Sequence, residues 1–113
     1  AALATYQDEL VAADASAELI QELFERRTAN PPDPAGWQAQ AAAGLGFTGI
    51  EGAITAPTLI VTGPEDNVVD PRNSDVLAER IPGAEVQRIE HSGHLFFWEQ
   101  PDAFVRIISE FLQ

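Results

Sequence analysis

Thr58-Leu59-Ile60-Val61-Thr62, closed by Gly63-Pro64-Glu65-Asp66-Asn67, is the stretch whose reading decides the fold. Its first five residues are a continuous β-prone run rather than an alternating one. That pattern suits a strand covered on both faces in a parallel sheet. The next five are turn formers and stop it, so a strand is expected over about 57–62. Downstream, Ser74 to Ile81 reads as a helix with Val76, Leu77 and Ile81 apolar, ended by Pro82-Gly83. Glu85 to Glu90 is a second, more polar strand suited to a sheet edge. Pro101 and Asp102 then open a last helix whose Phe104, Ile107, Ile108, Phe111 and Leu112 make one apolar stripe. Strand, helix, strand, helix at these spacings is a βαβ unit, an α/β fold with two parallel strands that end on the same edge of the sheet. Asp66 follows Gly63 by three residues and His94 follows His91 by three, so both belong to loops on that edge. Open α/β sheets place their sites there.

Upstream of Ala56 the chain is alanine-rich and helical in pattern. Thr5-Tyr6-Gln7-Asp8 has the form of a capping sequence ahead of Glu9-Leu10-Val11. Leu19, Ile20, Leu23 and Phe24 recur at helical spacing over about Ala15 to Arg27. Asn30-Pro31-Pro32-Asp33-Pro34 breaks that helix. Asp33 caps the next one, with Pro34 at its first position, and it carries Trp37 to around Gly44 to Gly46. Thr48 to Ile54 reads as a short turn or helical segment leading into the second half.

Composition narrows the function classes. The formal net charge is -12 and no lysine is present. So acidic a surface repels a phosphate backbone, which argues against nucleic acid as a partner. With no cysteine there is neither a disulfide framework nor a thiolate metal site. No apolar run approaches the roughly 20 residues that span a bilayer, so no membrane partner is expected. No cofactor or metal is implied. The start at Ala1-Ala2-Leu3, without methionine, reads as a processed or truncated piece. Cytoplasmic is the default expectation for its location.

The second half resembles the C-terminal part of the α/β-hydrolase family. The resemblance is carried by Ala56-Pro57-Thr58-Leu59-Ile60-Val61-Thr62-Gly63, Glu65-Asp66-Asn67-Val68-Val69 and Leu77-Ala78-Glu79-Arg80-Ile81-Pro82-Gly83-Ala84. It continues through Ser92-Gly93-His94, Phe97-Trp98-Glu99 and Pro101-Asp102-Ala103-Phe104. By that resemblance residues 56–113 are a C-terminal core segment, and 1–55 are a helical cap remnant with its connection to the core. Asp66 matches the acid of a Ser-His-Asp triad and His94 its base, in the chain order nucleophile, acid, base. Esterase, enol-lactonase and haloperoxidase-like members are the nearest in pattern. The family's Gly-x-Ser-x-Gly nucleophile turn is nowhere in these residues. The resemblance therefore implies part of a serine-type hydrolase acting on a small-molecule ester or related acyl substrate, inactive alone.

Several neighbouring residues carry duller readings. His91 lacks a preceding glycine and reads as structural or surface. Ser92 lies on the histidine loop rather than on a strand-to-helix elbow, which argues against a nucleophile. Glu65, Asp66 and Asp70 lack the central glycine and closing glutamate of a calcium loop. Trp37, Phe96, Phe97 and Trp98 suit core or cap packing ahead of pocket lining. A two-stranded parallel sheet is small for independent stability. Its open edge is expected to be covered by an N-terminal half or by a second copy. The alternative function is a non-catalytic folding or interaction module that pairs through that edge.

Overall fold

The computed structural model describes residues 9–49 and 51–113. The capping sequence expected at Thr5 to Asp8 lies outside them. Helix α1 spans Ala17–Ala29 and α2 spans Pro34–Gly46; they are followed by strand β1 (Leu59–Thr62) and helix α3 (Asn73–Arg80). Strand β2 (Glu85–Arg88), a single turn α4 (Phe96–Glu99) and helix α5 (Pro101–Phe111) complete the order.

Local chemistry accounts for the helix starts. Ser16 accepts from the Leu19 amide at 3.2 Å and so begins α1 two residues later than the apolar spacing suggests. Asp33 accepts from the Gly36 amide at 2.8 Å with Pro34 in the first turn of α2. Gly83, at φ 74°, turns the chain between α3 and β2, a conformation that suits glycine. Residues 48, 49 and 51–54 form no regular element.

The strands pair in parallel with Leu59 opposite Glu85 and Thr62 opposite Arg88. Backbone bonds at both ends, Glu85 N–H to the Thr58 carbonyl at 2.9 Å and Ile89 N–H to the Thr62 carbonyl at 3.0 Å, carry the pairing beyond the regular strands. Both strands are shorter than expected: β1 takes the last four residues of 57–62 and β2 the first four of 85–90. The expectation that β1 is buried on both faces is corrected. Ile60 and Thr62 are buried, whereas Leu59 and Val61 are only half-buried. Leu59 borders an open groove with Pro57, Ile107 and Phe111, so that face lacks a complete cover.

Leu10, Val11 and Leu23 form a buried cluster, with Leu19, Ile20, Leu95 and Trp98 packed against it. It joins residues from both sides of the compositional boundary at Ala56. The Arg26 guanidinium lies 5.0 Å from the Trp98 ring centroid, a cation–π contact over the same cluster. Leu23→Ala should lower unfolding stability by about 3 kcal/mol, the usual scale for a buried leucine. Urea denaturation reads this, and a loss below about 1 kcal/mol contradicts so central a role. Phe96, Phe97 and Phe104 form a mutual ring cluster with centroids 5.7 to 6.2 Å apart. Trp37 departs from the packing expectation. It is 61% exposed, on a helix that has no buried residue.

Candidate functional site

The loops that follow β1 and β2 meet at the carboxyl edge of the sheet, and three backbone segments cross there without room for side chains. A Cβ placed on Gly63 lies 2.2 Å from the Gly93 carbonyl oxygen and 2.6 Å from that of Ser92. One placed on Gly93 lies 2.7 Å from the carbonyl carbon of Val11. The Glu65 amide donates to the Ser92 carbonyl at 3.0 Å and fastens one loop to the other. The Leu95 amide donates to the Leu10 carbonyl at 2.9 Å, which fastens the histidine loop to the segment ahead of α1.

Asp66 and His94, 28 residues apart in the chain, come into hydrogen-bond contact, Nδ1 to Oδ2 at 3.0 Å. The Asp66 side chain is 9% exposed and that of His94 is 36% exposed, so an almost buried carboxylate backs a ring that reaches solvent. The second carboxylate oxygen of Asp66 accepts from the Val68 amide at 2.8 Å and the Val69 amide at 2.9 Å. Burial raises the Asp66 pKa. The Val69 and Val68 amides and the His94 ring more than offset it and hold the group below its ordinary 3.8. An ionised carboxylate only accepts, so Nδ1 carries a proton, and in the neutral ring Nε2 then presents a lone pair. That is the protonation pattern of an imidazole ready to take a proton.

The same shift makes a pH prediction. A carboxyl whose pKa is lower in the folded state contributes stability in full above its unfolded value. That contribution is lost as pH falls through 3.8 toward the folded value. In Asp66→Asn the loss of urea midpoint between about pH 6 and about pH 3 should be shallower than in the wild type. Equal losses contradict the linkage.

Ser92 is fully buried and its hydroxyl donates to the Ile89 carbonyl at 2.5 Å, so it offers no accessible nucleophile. His91 is exposed at φ 55°, a turning position that histidine tolerates, and its Nδ1 lies 3.7 Å from Asp14. Asp70 is engaged by the Arg72 side chain and amide, which hold its carboxyl down to about 2. Among the described residues, the group of possible metal ligands that converges is Asp14, Glu65 and His91, within 4.8 Å. It shares only Glu65 with the calcium loop weighed above.

Sequence reasoning assigned no role to Glu99. Its carboxylate accepts from the Ala12 amide at 2.6 Å and from the Gly93 amide at 2.8 Å. The available signal was one acidic residue ending the apolar run Leu95-Phe96-Phe97-Trp98, a run that packs inward at Leu95 and Trp98.

The profile of the alpha/beta hydrolase fold matches residues 2–101. The poly(3-hydroxyalkanoate) depolymerase of Ectopseudomonas oleovorans is 40% identical over 80 residues, which cover 69% of this chain and 28% of that protein. Monoacylglycerol lipase ABHD6 of Homo sapiens is 36% identical over 59 residues, 52% of this chain and 18% of its own length. The esterase EaEST from Exiguobacterium antarcticum superposes with a TM-score of 0.75 at 24% identity, over 98% of this chain and 42% of that one. Est816, an N-acyl homoserine lactone degrading enzyme, superposes at 0.72 with 26% identity, over 97% of this chain and 46% of that one. The chain thus spans under a third of these curated relatives and under half of these solved structures. Among the described residues no helix is long and apolar enough to cross a membrane. A family match over residues 2–101 places the chain in the α/β-hydrolase family.

Proposed function

We propose that this chain supplies the acid and base of a serine-type hydrolase acting on an ester or related acyl substrate. The Asp66–His94 hydrogen bond at the carboxyl edge of the sheet carries this reading. The nucleophile comes from a segment outside these 113 residues, which contain no Gly-x-Ser-x-Gly turn. His94 Nε2 takes the proton from the serine hydroxyl as its oxygen bonds to the acyl carbon. Asp66 keeps Nδ1 protonated and stabilises the imidazolium. The same proton then passes to the leaving oxygen as its bond to the acyl carbon breaks. Water repeats the sequence on the acyl-serine and frees the acid. Backbone donors on the nucleophile-bearing half stabilise each oxyanion, on the order of 10²–10³ in rate apiece. The esterase and lipase relatives support acyl chemistry in general; the acyl group is set by a pocket that these residues only partly line.

Hydrolysis of an aryl ester by the chain alone and after mixing with a nucleophile-bearing N-terminal half tests this. Activity should appear only in the mixture. Hydrolysis by the isolated chain that survives His94→Ala removes the assignment.

The same reading asks for a partner. Among the described residues β1 pairs only with β2, which leaves the other edge of β1 without a strand. A missing half, or a second copy joined by β-pairing or segment exchange, occupies that edge. Size-exclusion chromatography of the chain by itself should show a dimer or larger species. A cooperative, stable monomer contradicts the proposal that the edge is covered.

A further inference from the structure

We infer that Glu99 is a positioning residue for His94, the group through which the segment ahead of α1 sets the place of the histidine loop. The inference rests on the reading of Asp66 and His94 as acid and base. Gly93, the residue before His94, is buried, and so is Ala12. Buried amides require acceptors. One carboxylate serves both, Oε1 for Ala12 at 2.6 Å and Oε2 for Gly93 at 2.8 Å. These residues are 87 and 6 positions from Glu99, so the bridge is tertiary on one side and local on the other. Leu95, the residue after His94, is tied to the same segment through Leu10. The backbone on both sides of His94 is therefore referenced to residues 10–12, against which Gly93 packs too closely for any side chain. Asp66 is fixed differently, by the Val68 and Val69 amides of its own loop. Beside the Leu95–Leu10 and Glu65–Ser92 backbone bonds, Glu99 supplies the side-chain anchor of the histidine loop behind the 3.0 Å acid–base contact.

A glutamine at position 99 keeps the length of the side chain but has one acceptor atom, so one of the two amides loses its partner. The test is the His94 Nδ1 proton, observed by NMR in the chain as it assembles in solution. In Glu99→Gln its exchange with water should quicken by about tenfold, the equivalent of one hydrogen bond. Glu99→Asp should fall between Gln and wild type. Ile81→Ala, which removes a buried side chain at the end of α3, should leave the exchange at the wild-type rate. An unchanged rate in folded Glu99→Gln overturns the inference. If that variant does not fold, Glu99→Asp decides: an exchange rate there equal to the wild type overturns the inference. Asp66→Asn separates the two readings. A wild-type Nδ1 proton that survives this substitution unaltered refutes the acid–base pair, whereas its loss there with no effect of Glu99→Gln refutes only the role of Glu99.

Discussion

Replacing His94 with alanine in the assembled hydrolase should lower kcat for an aryl ester by roughly 10⁶, with KM little changed. The ring holds the one imidazole in contact with a nearly buried carboxylate, and its Nε2 lone pair has no substitute among the described neighbours. Ser92 and His91 cannot stand in, since the first is fully buried and the second faces solvent beside Asp14. His94 is partly exposed, so its truncation removes a proton acceptor without opening a core cavity. The urea midpoint should therefore change little, and the effect should reside in kcat. Asp66→Asn should cost about 10⁴, because an amide that donates to Nδ1 selects the wrong ring tautomer. A drop of less than about tenfold in His94→Ala is incompatible with a general base.

Gly63→Ala should be the most damaging single methyl in the chain, at about 4 kcal/mol of unfolding stability. That is a large part of the roughly 5–15 kcal/mol available to a domain. Gly63 does not have positive φ, so the penalty is spatial rather than conformational. A Cβ there lies 2.2 Å from one backbone oxygen and 2.6 Å from another, and neither is the tip of a flexible side chain that can swing away. Relief requires the Asp66 loop and the His94 loop to part. Their Glu65 to Ser92 bond and the 3.0 Å acid–base contact should then fail together. Urea denaturation measures the first effect and the His94 Nδ1 proton signal the second. A loss under about 1 kcal/mol with that signal intact means the loops have slack that the close approach denies.

Much of this architecture is legible because it is local. An unbroken β-prone run, two prolines at helix starts and an apolar stripe place β1, α2, α3, β2 and α5 within a few residues. Parallel pairing then places Asp66 and His94 on one edge. The remainder is set by contacts between distant residues. Nothing near Glu99 announces an amide 87 positions away. Nothing in Thr62-Gly63-Pro64 distinguishes a glycine needed for space from one that serves a turn. The half-burial of Leu59 and Val61 and the exposure of Trp37 reverse what their side chains favour, since burial depends on what covers a surface. The turn α4 is too short for periodicity to register; its start follows from the Leu95 carbonyl, which accepts from Trp98 at 2.8 Å and Glu99 at 3.0 Å.

Labelling with a fluorophosphonate tests most directly whether His94 is the base for a serine supplied from outside these residues. Such a reagent bonds to a serine only when a neighbouring base activates it. Incubated with a nucleophile-bearing N-terminal half, the wild-type chain should switch on labelling of that half while remaining unlabelled itself, and His94→Ala should abolish the reaction. Label on this chain, or labelling of the other half that is indifferent to His94, contradicts the account.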